Sequence, residues 1–309
     1  MKQPHFVASE QQSILFLKPA RDYRGFMHFL HRYMPPKTIA LLSFCLLIHG
    51  CARLSTNPPR TAFFYGSSMP IVALSKFDRV VVEAENLDNL NELRSAGADV
   101  FAYVSVGEAE GWRATSRALP KDLFLGDNAA WQSRIADLTH PNWRRYLIEH
   151  RMAVLWETGY SGFFLDTLDS YQLVVKSPVE QLTQSKALVE IIRAMHQRFP
   201  GVKLLFNRGF DVLPEVGPLA VGLVAESLFQ SWNPVTKEYV SVGEDERSRL
   251  LARLNHAHLR YDLPITVIDY VPGDKPELAR ETAHRIKALG FAPWVATPGL
   301  DMLAVGAEK

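Results

Sequence analysis

The sequence predicts an α/β fold, a single (β/α)8 TIM barrel, and three observations carry that prediction. Eight short, nearly continuous apolar runs recur between residues 61 and 296. Amphipathic stretches of helical period separate most of them. The series fits into about 240 residues, close to the ~250 typical of such barrels. Apolar runs without period-two alternation suit strands buried on both faces of a parallel sheet. An open doubly wound sheet is the competitor, but no GxGxxG or GxxxxGK[ST] loop follows any of the runs.

In chain order the strands are expected at 61–65, 79–84, 99–106, 162–166, 203–207, 221–225, 264–270 and 291–296. Helices are expected at 86–96, 141–158, 178–198, 244–259 and 275–289. Gly97, Gly159, Gly201 and Gly290 stand where helix C-termini need a left-handed cap, and the residues from Thr139 to Asn142 and the pair Ser177-Pro178 supply helix starts. Residues 107–140 are expected to form an elaborated loop on the face where such barrels do chemistry. No linker-like segment interrupts the alternation after residue 60, so 61–309 is read as one domain.

The segment ahead of the barrel follows a different logic. Residues 39–48 are strongly apolar, with Lys37 before them and Gly50-Cys51 after, the layout of a bacterial export signal. The run is too short for a spanning helix, which needs roughly 20 apolar residues. Leu47-Ile48-His49-Gly50-Cys51 resembles a lipobox, with His49 where a small or aliphatic residue is usual. Cys51 is therefore the expected lipidation site, and Cys45 would leave with the signal. Met34 opens a more conventional signal than Met1; the alternative is that 1–33 form a long n-region. Residues 51–60, with Asn57-Pro58-Pro59, read as a tether. The expected location is the bacterial envelope, outer membrane or periplasm, with the membrane met only through the anchor.

Composition narrows the partners. At 47% hydrophobic and 22% charged residues the chain has an ordinary soluble composition. With 34 Lys+Arg against 33 Asp+Glu there is no global basic field, and nucleic acid is not an expected partner. Two cysteines cannot build a disulfide framework, and no Cys/His set has structural zinc spacing. Removing residues 1–50 leaves 28 basic and 31 acidic residues, a net charge of −3.

Chemistry in such a barrel sits at the C-terminal strand ends. There the sequence reads Tyr103-Val104-Ser105-Val106-Gly107-Glu108, Phe164-Leu165-Asp166-Thr167-Leu168-Asp169-Ser170-Tyr171, Asn207-Arg208-Gly209, Ala225-Glu226-Ser227 and Ile268-Asp269-Tyr270. A lone acid at such a place is more often a helix cap or a surface ion pair, but acids end four neighbouring strands. Buried together they repel, which raises at least one pKa toward neutrality. Two such carboxylates could serve glycoside hydrolysis or ligate a divalent metal. No histidine ends a strand to favour the metal; His256 and His258 lie on a helix and point to different sides. Lys203 opens its strand and so sits at the wrong end for a Schiff base. Tyr65, Tyr103, Trp112, Tyr171, Trp232 and Tyr270 fall at or just past strand ends, where aromatic rings stack on the C–H faces of sugars. Some of the six are expected only to pack under loops.

These motifs, in this order over roughly residues 61–306, resemble glycoside hydrolase family 114. The resemblance implies an endo-acting barrel hydrolase that cuts α-1,4-linked galactosamine and N-acetylgalactosamine exopolysaccharide without a cofactor or metal. The family's two catalytic acids match Asp166 and Glu226, and related barrels suggest nucleophile and general acid/base respectively. Retention of configuration then requires carboxyls ~5–5.5 Å apart. Substrate contacts are expected from Tyr65, Tyr103, Glu108, Asp169, Tyr171, Asn207, Arg208, Trp232, Asp269 and Tyr270. Arg208 is also expected to hold one carboxylate ionised. Two other readings stay open: a non-catalytic envelope lipoprotein that binds cationic glycan, and an α-galactosidase-like hydrolase of another glycan.

Overall fold

The computed structural model describes residues 58–85 and 90–305. The export signal, the lipobox-like junction and Cys51 lie outside the described residues. The first strands in chain order are β1 (Thr61–Phe64), β2 (Arg79–Val82), β3 (Asp99–Ser105), β4 (Glu108–Glu110), β5 (Phe124–Asn128) and β6 (Ser133–Ala136). There follow β7 (Gly162–Asp166), β8 (Lys203–Asn207), β9 (Ala220–Glu226), β10 (Gln230–Asn233), β11 (Glu238–Ser241), β12 (Ile265–Tyr270) and β13 (Ala292–Ala296).

The eight apolar runs become one parallel sheet in the order β1-β2-β3-β7-β8-β9-β12-β13. Its outer strands, β1 and β13, come back beside each other, so the sheet is a nearly closed (β/α)8 barrel. Both faces are packed because neighbouring residues point to opposite sides of a strand. On β7, Phe163 turns outward against Trp156 and Phe199 of the helical layer, with ring centres 6.3 and 5.7 Å away. Phe164 turns inward against Phe63 and Tyr103, at 5.4 and 6.2 Å. Each phenylalanine is almost fully buried and adds roughly 1.5–3 kcal/mol of hydrophobic stabilisation. Asp166 shares the parity of Phe164, so the same alternation sends it into the barrel mouth.

The helices follow the predicted periodicity. Pro178–Arg198, Glu244–Tyr261 and Pro276–Ala288 match it closely. The stretch from Pro141 to Glu157 is helical throughout but passes through a π-helical segment, Tyr146–Met152. Its start is capped by His140, whose Nδ1 accepts from the Asn142 N–H at 3.2 Å. The four predicted cap glycines all adopt positive φ.

Two insertions depart from the expected pattern. Residues 107–140 contain a three-stranded antiparallel sheet, β4-β6-β5, rather than a loop. The chain after β9 forms the hairpin β10–β11. These strands are short, and β5, β10 and β11 are largely half-buried or exposed. They therefore carry no apolar run to betray them.

Candidate active site

Six side chains, four from strand ends, one from within β3 and one from the turn after β1, meet in the barrel mouth. Asp166 ends β7, Asn207 ends β8, Glu226 ends β9 and Tyr270 ends β12. Tyr103 stands on β3, and Tyr65 follows β1 with its ring edge-on to Tyr103 at 5.5 Å. The Asn207 Nδ2 donates to Asp166 Oδ1 at 2.8 Å and to Glu226 Oε1 at 3.1 Å. The remaining carboxylate oxygens accept from phenols: Tyr103 donates to Asp166 Oδ2 at 2.9 Å, and Tyr270 donates to Glu226 Oε2 at 2.5 Å. The two N–H bonds of a primary amide diverge by about 120°, so the facing carboxylate oxygens lie about 5 Å apart. Both acids keep partial access to solvent, whereas Asn207 is buried.

The electrostatics separate the two acids. Burial, and then the charge of Asp166, pushes Glu226 up to about 7, against the pull of the Tyr270 and Asn207 hydrogen bonds and of the Arg208 charge. Burial also raises Asp166 above its ordinary value, opposed by hydrogen bonds from the Thr167 backbone, Asn207 and Tyr103. Burial holds the Tyr65, Tyr103 and Tyr270 phenols well above their ordinary value, so they stay neutral donors. At neutral pH one carboxyl can thus carry a proton while its neighbour is ionised, the division of labour that acid–base chemistry requires.

The backbone around the pair is tightly constrained. A Cβ on Gly107 would fall 2.2 Å from the Thr167 carbonyl oxygen, so only glycine fits at that crossing. The Gly107 N–H instead donates to Thr167 Oγ1 at 2.8 Å. Arg208 takes a left-handed φ of 54°, and its Nη2 donates to the Glu226 carbonyl at 2.6 Å.

Comparison with known proteins decides the family. Residues 52–308 match glycoside-hydrolase family GH114. The chain is a GH114 glycoside hydrolase. The glycoside hydrolase domain of PelA from Pseudomonas aeruginosa is 38% identical, with a TM-score of 0.74 over 80% of this chain and 98% of that one. Ega3 from Aspergillus fumigatus, solved in complex with galactosamine, shares the fold at 15% identity and a TM-score of 0.56, over 80% of this chain and 95% of that one. An uncharacterized protein of Methanocaldococcus jannaschii is 26% identical over 68% of this chain, and the match spans 64% of that relative's length.

In this GH114 hydrolase the expected contact residues divide. Tyr65, Tyr103, Asn207 and Tyr270 line the carboxylate pair. Asp169 is half-buried nearby; burial raises its pKa and the Arg208 charge opposes that rise. Trp232 stands on the β10–β11 hairpin, edge-on to Tyr239 at 4.8 Å. Arg208 acts on Glu226 through charge and through the backbone carbonyl, not by a hydrogen bond to a carboxylate.

Three expectations need correction. Asp269 has no exposed surface: its oxygens accept the backbone N–H groups of Leu228, Phe229 and Gln230 at 2.6, 2.7 and 2.7 Å. Because Tyr270 faces Glu226, strand alternation turns Asp269 the other way, beneath the loop after β9. Glu108 is 5% exposed and accepts from Ser133 Oγ and Asn128 Nδ2 within the three-stranded sheet. Tyr171 is buried in the hydrophobic core. All three side chains are buried and engaged within the protein.

The sequence reading also passed over a cluster beside the site. Arg113 is 4% exposed and bonds Glu83 at 2.7 Å, Glu110 at 2.6 Å and Glu85. Glu85 also accepts from Arg151 at 2.8 Å. One signal was present: Glu83 follows the apolar run of β2 much as Glu226 closes β9.

Proposed function

We propose that this GH114 hydrolase cleaves α-1,4-linked galactosamine and N-acetylgalactosamine exopolysaccharide within the chain, by a retaining mechanism with Asp166 as nucleophile and Glu226 as general acid/base. The observation that carries the reading is the shared Asn207 nitrogen. A separation of about 5 Å suits a retaining pair and leaves too little room for the water of an inverting one, which needs ~6.5–9.5 Å.

Glu226, protonated near neutral pH, gives its proton to the leaving glycosidic oxygen as an Asp166 oxygen attacks the anomeric carbon. The C–O bond to the leaving group breaks and an ester to Asp166 forms. Glu226, now ionised, takes a proton from water, whose oxygen displaces Asp166 and restores the starting configuration. Tyr103 and Asn207 hold the attacking carboxylate in line, and Tyr270 orients the acid. The ammonium group of a partly deacetylated galactosamine chain is cationic, and the acids at the mouth, among them Asp166, Asp169, Glu226 and the nearby Glu83 and Glu85, favour it. The family resemblance supports the same substrate.

The test is digestion of partly deacetylated α-1,4-galactosamine polymer by the full-length protein, with early products followed by NMR. Release of α-anomeric oligosaccharides is expected, with loss of activity in Asp166→Asn and Glu226→Gln. β-Anomers as first products would overturn retention, and an uncut polymer would overturn the substrate. We further infer that Cys51 carries a lipid that holds the enzyme at the bacterial envelope. Palmitate labelling of the cell-expressed protein, abolished in Cys51→Ser, is the corresponding check.

A further inference from the structure

The small sheet beside the catalytic face carries two tryptophans that the mechanism does not use. Trp112 is 56% exposed and Trp131 is 60% exposed. They lie just beyond the end of one paired stretch of chain. β4 pairs with β6 through Glu110 and Ser133, and the Gly111 N–H then donates to the Gln132 carbonyl at 3.3 Å. The next residues outward are Trp112 and Trp131.

Trp112 is fixed from behind. The Arg113 guanidinium lies 4.0 Å from the centre of its ring, a stacking geometry favourable to arginine. Arg113 is itself immobilised by Glu83, Glu85 and Glu110. The arginine thus presents a stiff indole whose other side meets solvent. The same guanidinium is 5.8 Å from the centre of the Tyr103 ring, whose hydroxyl donates to Asp166. The indole is therefore within about 10 Å of Tyr103, inside the span of a short oligosaccharide bound at the carboxylates. Around it, three carboxylates against the guanidiniums of Arg113 and Arg151 leave one net negative charge.

We propose that Trp112, flanked by Trp131, is a distal subsite that takes an amino-sugar unit of the substrate chain, its C–H face on the indole and its ammonium toward the half-exposed Glu85. The proposal rests on the substrate reading above and extends it to a second contact area on the rim. An exposed aromatic platform fits the apolar face of a sugar, and the flanking carboxylates select a cationic one. The continuity with Tyr103 and Asp166 favours a segment of the substrate chain over a separate protein partner.

The experiment compares Trp112→Ala, Trp112→Phe and wild type, as full-length proteins, on long galactosamine polymer and on a disaccharide reporter too short to reach the rim. In Trp112→Ala, kcat/KM on polymer should fall about tenfold, chiefly through KM, while the reporter is cut at the wild-type rate. Trp112→Phe should recover most of the loss, and thermal melting should be unchanged in both variants. An equal loss on both substrates, or no loss on polymer, would overturn the subsite. If wild type leaves the polymer uncut, the proposed substrate fails by itself. Binding of the same partly deacetylated oligosaccharides, followed by tryptophan fluorescence, then decides the subsite: roughly tenfold weaker binding to Trp112→Ala supports it, and equal binding rejects it.

Discussion

Asp166 and Glu226 are held by a single donor, the Asn207 Nδ2, which stands 2.8 Å from one carboxylate and 3.1 Å from the other. One amide thus sets both the distance between the acids and their electrostatic coupling. It ties the geometry of the carboxylate pair to strands β7, β8 and β9, which lie side by side in the sheet.

Removing either acid should abolish turnover without unfolding the barrel. Asp166→Asn and Glu226→Gln are each expected to lose on the order of 10³-fold or more in kcat. Azide should separate the roles. It should restore turnover in Glu226→Ala with an α-glycosyl azide product, and in Asp166→Ala with the β-azide. Reversed products would exchange the two assignments.

Activity should fall as pH rises through about 7, because the proton on Glu226 is then lost. The Tyr270 hydroxyl stabilises the ionised form of Glu226 and holds its pKa down. Tyr270→Phe should therefore move the alkaline limb of kcat/KM to higher pH. A limb that stays in place would show that another group controls it.

The same ionisation should lower stability at alkaline pH. Glu226 binds its proton more tightly in the folded chain than in the unfolded one, so its contribution is full below the ordinary glutamate pKa of 4.5 and declines as pH rises to about 7. Above that, Glu226→Gln should be more stable than wild type by up to about 3 kcal/mol. The difference should shrink toward pH 4.5, and urea denaturation at both pH values measures it.

Asp269→Ala should cost roughly 2–4 kcal/mol, since three buried N–H groups lose their acceptor at once. The loop they belong to begins directly after Glu226, so kcat should fall as well. Unchanged denaturation together with weakened substrate binding would restore Asp269 to the substrate-binding set.

The barrel was legible because its strands are buried on both faces and so leave continuous apolar runs. Asp166 and Glu226 were legible as candidates because they close two of those runs, and the family resemblance set them apart from the other strand-end acids. The β4-β6-β5 sheet and the β10–β11 hairpin were not, since short half-exposed strands have no such signature. Asp269 and Glu108 were misread because a strand end identifies a position along the barrel axis but not the neighbours that claim the side chain. For Asp269 the alternation with Tyr270 already turns the side chain away from the mouth.

Local pattern alone therefore determined the fold class, the order of the barrel strands and a set of acids at strand ends, because burial periodicity and strand-end position are properties of the chain itself. The family resemblance singled out Asp166 and Glu226 among those acids. Tertiary structure decided what those acids share and which other acids face away. Asn207 bridges Asp166 to Glu226, and Arg113 gathers Glu83, Glu85 and Glu110 beneath Trp112, only after segments distant in sequence are folded together. Hydrogen bonds and ion pairs of that kind depend on distances of a few ångströms between strands, and no periodicity along a single strand encodes them.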